Sequence, residues 1–138
     1  MTERTAMEKG HETMKTKRIL IVEDDTTLAH SIAFTLKRYR YEVTATNRAK
    51  EGLDLILRAL QEQRPVDLLI TDIQLPDMTG RELINELVRQ KALPPTLVMT
   101  AYATNELFDE LRLKGVRECI AKPFDIMELV RIVSEQLR

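Results

Sequence analysis

The sequence alternates five short apolar segments with five segments of helical periodicity, and this alternation limits the possible folds more than any other feature. The apolar segments lie at residues 18–23, 42–46, 66–71, 96–100 and 117–121. Most are nearly continuous in apolar side chains, as strands covered on both faces are. Because crossovers between parallel strands are almost always right-handed, five strand–helix units predict a doubly wound parallel α/β sheet with helices on both faces.

The segments between the strands space their apolar side chains three and four residues apart, as amphipathic helices do. The predicted apolar faces comprise, in chain order, Leu28, Ile32, Leu36 and Tyr39; Ala49, Leu53, Ile56, Leu57 and Leu60; Leu83, Ile84, Leu87 and Val88; Leu107, Phe108 and Leu111; and Ile126, Leu129, Val130, Val133 and Leu137. Thr79 with Glu82 and Asp125 with Glu128 have the spacing of capping boxes, which mark helix starts. Gly115 is predicted to end the fourth helix.

Length and composition predict one domain and exclude several classes of function. The 138 residues suit a single core, which we assign to residues 17–138, after a polar tail at residues 1–16 that lacks apolar periodicity. The 21 basic and 22 acidic residues nearly balance, so we expect no direct nucleic-acid binding. No run approaches the roughly 18 apolar residues of a membrane span. The single cysteine, Cys119, fits a reducing compartment, and we expect a cytoplasmic location.

Charged and hydroxyl side chains follow four of the five predicted strands. Glu23 and Asp24 end the first, Asp72 the third, Thr100 the fourth and Lys122 the fifth. In open α/β sheets, ligands bind beyond the carboxyl ends of the strands, where the strand order reverses. In the order 2-1-3-4-5 the first and third strands are neighbours at that point. We therefore expect all of these side chains to meet at one edge of the sheet.

This combination of side chains suits a hard cation and a phosphoryl group. Three crowded carboxylates repel one another, and Mg²⁺ relieves such repulsion while keeping part of its water shell. A carboxylate such as Asp72 can also attack phosphorus and form an aspartyl phosphate. Lys122 could pair with the phosphoryl group, and the Thr100 hydroxyl could donate to it. Each residue alone has an ordinary structural explanation, such as acids at a helix start or threonine in a strand, and only their ordered combination favours this chemistry.

Four sequence pieces resemble the receiver domain of bacterial two-component response regulators, a flavodoxin-like fold of three layers. They are Ile-Leu-Ile-Val-Glu-Asp-Asp at 19–25, Asp-Ile-Gln-Leu-Pro-Asp-Met-Thr-Gly at 72–80, Met-Thr-Ala at 99–101 and Ala-Lys-Pro-Phe at 121–124. The resemblance covers residues 17–138, nearly the whole chain.

The resemblance implies a role for each residue of the predicted site. It implies a Mg²⁺ site formed by the carboxylates of Glu23, Asp24 and Asp72 and the backbone carbonyl of Gln74. It implies that Asp72 is the phosphoacceptor, that the Thr100 hydroxyl follows the phosphoryl group, and that Lys122 bonds the acids or the phosphoryl group. It also implies a cis Lys122–Pro123 peptide bond.

One position departs from the family pattern. Receiver domains usually carry Tyr or Phe three residues before the lysine, where this chain has Cys119. The aromatic side chain normally turns inward as Thr100 moves, and a cysteine has little volume to move. The switch then runs through Thr100 and its loop alone, or Tyr102 or Phe108 takes the aromatic role, or phosphorylation changes the distal face only weakly.

The resemblance implies a phosphoacceptor rather than an enzyme. The donor would be a sensor histidine kinase or a phosphotransfer protein, the output would pass to an effector protein, and the chain would be a monomer or weak dimer. One alternative is a pseudo-receiver that binds proteins without phosphorylation. Another is a Mg²⁺-dependent phosphatase with an aspartyl nucleophile, but such enzymes usually carry a second aspartate where this chain has Gln74. No G-x-G-x-x-G follows the first strand, which disfavours dinucleotide binding.

Overall fold

The computed structural model describes residues 15–138, which form five strands and five helices in strict alternation. The strands are β1 (Arg18–Val22), β2 (Glu42–Thr46), β3 (Leu68–Asp72), β4 (Thr96–Thr100) and β5 (Glu118–Ala121). The helices are α1 (Thr26–Arg38), α2 (Ala49–Gln61), α3 (Gly80–Arg89), α4 (Asn105–Leu113) and α5 (Ile126–Gln136). The strands pair in parallel in the order β2-β1-β3-β4-β5, which confirms the predicted fold. The predicted tail lies outside the described residues except for its last two.

The strand boundaries differ from the predicted ones mainly at β3. β2 and β4 have the predicted limits, whereas β1 ends one residue earlier and β5 starts one residue later. β3 begins at Leu68 and extends to Asp72, because Asp72 still pairs with Met99 of β4. The predicted phosphoacceptor is therefore the last residue of a central strand rather than the first residue of a loop.

The two faces of the sheet contact different helices, which explains why β1, β3 and β4 are buried along almost their whole length. Ile19, Ile21 and Ile70 belong to a core cluster with residues of α1 and α5. Leu20 and Val22 belong to a cluster with residues of α2 and α3, and Val98 to one with residues of α3 and α4. Complete burial of such a side chain contributes about 1.5–3 kcal/mol. Three members of the predicted apolar faces are instead substantially exposed, and all lie in or just after the last turn of their helix: Tyr39, Leu60 and Val88.

The helix ends follow the predicted signals, with one correction. Thr79 and Glu82 form the predicted capping box at the start of α3, with bonds of 3.1 and 2.7 Å. Asp125 caps α5, but its carboxylate accepts from Met127 N rather than from Glu128 N, so the predicted capping box there is wrong. An N-cap side chain can accept from either position. Gly115 follows the end of α4 with φ of 109°, as predicted.

Among the residues that the structure describes, every helix is too short or too polar to cross a lipid bilayer.

Candidate functional site

Three carboxylates meet at the carboxyl ends of β1 and β3. The two strands are neighbours, with Val22 paired to Thr71, so the residues that follow them lie side by side. Glu23, Asp24 and Asp72 each offer an oxygen within 4.8 Å of the others. Glu23 and Asp72 are buried and Asp24 is exposed. The structure thus brings together the three acids that the sequence analysis selected.

Lys122 bonds to both buried acids. Its Nζ lies 2.6 Å from Glu23 Oε1 and 2.6 Å from Asp72 Oδ2. The side chain has to reach across β4, because β5 is not adjacent to β3. Its start is fixed by a 2.8 Å bond from Lys122 N to Thr100 O, and the Lys122–Pro123 bond is cis, as the resemblance implied. The lysine therefore neutralises part of the acidic charge.

Backbone amides hold the remaining oxygens of the buried acids. Gln74 N donates to Asp72 Oδ1 at 3.0 Å, and Asp25 N donates to Glu23 Oε2 at 3.0 Å. Each buried carboxylate thus has one oxygen on the lysine ammonium and the other on a backbone N–H. Among the described residues, no buried side-chain polar atom lacks a partner. The carboxylates are therefore held in fixed positions.

Burial and charge act in opposite directions on these groups. Burial raises the pKa of Glu23 above its ordinary value, and the hydrogen bond from Lys122 only partly offsets this effect. Burial alone would lower the pKa of Lys122, but its bonds to Asp72 and Glu23 outweigh burial, and the pKa is raised. Both shifts have ordinary causes: burial disfavours the ionised form of Glu23, and two nearby carboxylates favour the protonated form of Lys122.

The donor set fits a hard divalent cation. It consists of carboxylate oxygens only, and three acids face one lysine, so the cluster retains negative charge. Mg²⁺ binds through one or two carboxylates while keeping water and accepting phosphate oxygens. Gln74, whose carbonyl was the fourth predicted ligand, lies in the loop beside Asp72 and is exposed. Asp25 is instead the N-cap of α1, and its carboxylate accepts a hydrogen bond from Leu28 N at 3.1 Å.

Thr100 lies at the same edge, at the end of β4. Its neighbour Met99 pairs with Asp72, and Thr100 itself pairs with Ala121. The residue is buried, and its Oγ1 accepts a 3.0 Å bond from Tyr102 N. Because a hydroxyl can accept and donate at once, its proton is still available to another acceptor.

The side of the sheet formed by β4 and β5 lacks the usual aromatic side chain. Cys119 pairs with Val98 and contacts the apolar cluster beneath α3 and α4. Burial raises the pKa of its thiol, and nearby Glu118 adds to this effect, so the protonated form is favoured. Tyr102 is 70% exposed, and the Phe108 ring lies against the Arg112 guanidinium, 4.2 Å from the ring centroid. Neither aromatic side chain belongs to the apolar cluster that Cys119 contacts.

Two further residues hold the segment that connects β3 with the start of α3, and neither was assigned a role from the sequence. Gly80 donates its N–H to Ile73 O at 2.8 Å, and a Cβ there would lie 2.3 Å from Asp72 O. Asp77 bonds to the start of α2 through both carboxylate oxygens. The sequence did not reveal these contacts, because a sequence does not show which distant backbone a loop approaches.

Comparisons with known proteins agree with this geometry. A family model of the response regulator receiver domain matches residues 19–134. The response regulator ArlR of Staphylococcus epidermidis is 38% identical over 122 residues, which are 87% of this chain and 52% of that protein. An uncharacterized 14.6 kDa protein of Leptolyngbya boryana is 34% identical and is covered to 92% of its length.

A solved structure has the same fold at similar identity. The response regulator receiver domain protein (CheY-like) of Methanospirillum hungatei is 33% identical, with a TM-score of 0.77 over 89% of this chain and 94% of that one. This chain spans about half the length of the ArlR regulator, so that relative contains sequence that the present chain does not match. The fold, the acidic edge of the sheet and the family match together establish that the chain belongs to the response regulator receiver domain family.

Proposed function

We propose that residues 17–138 are the phosphoacceptor receiver of a two-component phosphorelay, with Asp72 as the residue that accepts the phosphoryl group. The observation that supports this proposal best is the position of Asp72. Asp72 is the last residue of the central strand β3, and its carboxylate lies beside two other acids and bonds to Lys122. A nucleophilic carboxylate needs nearby positive charge to approach a phosphoryl group, and this site can supply it.

Glu23, Asp24, Asp72 and the Gln74 carbonyl would hold Mg²⁺. When bound, Mg²⁺ would neutralise charge on the phosphoryl oxygens. An Asp72 oxygen attacks phosphorus in line with the phosphohistidine nitrogen; the O–P bond forms as the P–N bond breaks, and the imidazole leaves with the electron pair. Lys122, which already contacts Asp72, then pairs with a phosphoryl oxygen. The Thr100 hydroxyl donates to another while still accepting from Tyr102 N.

The new charge at Asp72 biases an equilibrium between two conformations, to the extent that Thr100 and Lys122 bind the phosphoryl group better in one of them. We propose a sensor histidine kinase or phosphotransfer protein as the donor, an effector protein as the target, a monomer or weak dimer as the working form, and the cytoplasm as the compartment. In this proposal the chain is not an enzyme but a phosphoacceptor that assists its own phosphorylation and dephosphorylation.

The second candidate is a pseudo-receiver that binds proteins without phosphorylation, and Cys119 is the observation that favours it. Mg²⁺ titration distinguishes the two functions. We expect saturable binding for the phosphoacceptor and weak or no binding for the pseudo-receiver.

Labelling with acetyl phosphate and Mg²⁺ tests the proposal, followed by mapping of the modified residue. We expect one phosphoryl group on Asp72 and complete loss of labelling in Asp72→Asn. Asp67→Asn is the matched control, because Asp67 is an acid at the opposite edge of the sheet, where its carboxylate bonds to Arg18 N. Undiminished labelling of Asp72→Asn would refute the assignment, and an unlabelled wild type would favour the pseudo-receiver.

A further inference from the structure

Asp77 attaches the loop after β3 to the start of α2. Its Oδ1 accepts from Ala49 N and its Oδ2 from Lys50 N, both at 2.9 Å. The N-cap residue of α2, Arg48, makes no capping bond with its own side chain. An acid from a loop distant in sequence therefore satisfies amides that a local side chain usually caps.

The same loop, residues 73–79, is closed at its base. Gly80 N bonds to Ile73 O, which joins the two ends of the loop. Gln74 N bonds to Asp72 Oδ1, so the backbone of Gln74 fixes the rotamer of the predicted phosphoacceptor. A loop closed at its base can still tilt as a unit unless contacts near its middle hold it. Leu75 and Met78 pack against the apolar cluster below the loop, and Asp77 adds the bonds to the start of α2.

The start of α2 is in turn connected to the other acids. Glu23 N donates to Thr46 O at 3.0 Å, and Arg48 N donates to Thr46 Oγ1 at 3.4 Å. The turn that leads into α2 is therefore bonded to the backbone of Glu23. A continuous path of bonds runs from Asp72 through the loop and Asp77 to Glu23.

We propose that Asp77 is a positioning residue: in addition to the pairing of β1 with β3 and the bonds of Lys122, it helps to set the distance between the Gln74–Asp72 side of the site and the Glu23–Asp24 side. This inference rests on the proposed function, because it assigns Asp77 to the same Mg²⁺ and phosphoacceptor site. A ligand set drawn from two strands and a loop binds well only when its parts are held in register, and displacements of about 1 Å can change rates by up to about a hundredfold.

The ionisation of Asp77 is consistent with this role. Desolvation by itself would raise the pKa of Asp77, but the backbone N–H groups together outweigh desolvation and lower the pKa. The ionised carboxylate can accept both bonds at once. An asparagine offers only one oxygen, and an alanine offers none.

Three variants test the inference. We expect Asp77→Ala to raise the Mg²⁺ Kd and to lower the labelling rate at limiting Mg²⁺, each by about five- to tenfold. This is less than the roughly hundredfold loss that a displacement of about 1 Å can cause. Asp77→Asn keeps one acceptor and should recover most of the loss. Asp67→Ala is the control, because it also removes a carboxylate-to-amide bond, from Arg18 N, but at the opposite edge of the sheet. It should reduce stability while leaving Mg²⁺ affinity and rate within twofold of wild type.

The measurements are titration calorimetry for Mg²⁺, the initial rate of labelling, and amide hydrogen exchange at Gln74, which should accelerate in Asp77→Ala. The inference is overturned if Asp77→Ala matches Asp67→Ala in Kd, rate and Gln74 exchange while the wild type is labelled at Asp72. If the wild type binds Mg²⁺ but is not labelled, the proposed function fails, and a weaker Kd in Asp77→Ala still supports the positioning role. A wild type that binds no Mg²⁺ overturns both.

Discussion

The two halves of the carboxyl edge of the sheet differ in how tightly their side chains are held. Around β1 and β3, each buried acid has one oxygen on Lys122 and one on a backbone amide. Around β4 and β5, Cys119 is small and Tyr102 is 70% exposed. The comparison shows that the acids of the proposed phosphoacceptor site are fixed by several bonds, among them those from Lys122, whereas the side chains of Cys119 and Tyr102 are held by few.

The largest loss of stability is expected for Gly80→Ala, which tests how tightly the half around β1 and β3 is held. A Cβ would lie 2.3 Å from Asp72 O and 2.8 Å from Ile73 Cα, and both atoms belong to the backbone of the site. We expect Gly80→Ala to lower the free energy of unfolding by about 3 kcal/mol, at the upper end for overpacking. Denaturant unfolding measures this change, and the labelling rate should fall with it because Asp72 must move.

Gly52→Ala is the matched control for Gly80→Ala. Its new Cβ would meet the side chain of Val22 at 2.8 Å rather than backbone, and alanine favours the interior of α2 by about 1 kcal/mol. We expect a clearly smaller loss of stability and a nearly normal labelling rate. Equal losses in the two variants would show that the approach of Gly80 to Asp72 has no special importance.

A smaller loss of stability is expected for Lys122→Met, and its dependence on Mg²⁺ tests whether the cation binds in the half around β1 and β3. Lys122→Met leaves Glu23 and Asp72 without their ammonium partner, which we expect to cost about 2 kcal/mol in Mg²⁺-free buffer. This is less than for a fully buried pair, because the lysine side chain is 20% exposed. Added Mg²⁺ should stabilise the variant more than the wild type, since no ammonium competes for the acids. Thermal unfolding with and without Mg²⁺ measures both effects.

Lys114→Met serves as the control for Lys122→Met, because Lys114 pairs with Glu110 at 3.5 Å on the helix surface, away from the three acids. Its stability should change little, and its response to Mg²⁺ should equal that of the wild type. An identical Mg²⁺ response in Lys122→Met and wild type would contradict the placement of the cation among these acids.

The smallest effect is expected in the less tightly held half. Cys119→Ala removes one sulfur from a half-buried position, and we expect a loss of about 1 kcal/mol and a labelling rate within twofold of wild type. Val98→Ala, at the paired and fully buried position of β4, should cost about 2 kcal/mol. A manyfold slower labelling of Cys119→Ala, measured beside Val98→Ala, would show that β5 takes part in the chemistry after all.

Local patterns were sufficient to predict the strand–helix alternation, the parallel sheet and the acids at its edge. Buried strands are mostly apolar, and helices show their period over two or more turns. The boundary of β3 was less well predicted, since the pairing of Asp72 with Met99 depends on a strand distant in sequence. The cap of α5 was misassigned because an aspartate can bond to either of two nearby amides.

By itself, the sequence determined which side chains end each strand, because alternation and apolar continuity are properties of neighbouring residues. Only the tertiary structure decided how those side chains are held: Lys122 reaches across β4 to two acids, Asp77 caps a helix that precedes it in the chain, and Gly80 contacts the backbone of Asp72. These contacts join residues from separate elements. Their distances are set by how the elements pack, which no local pattern records.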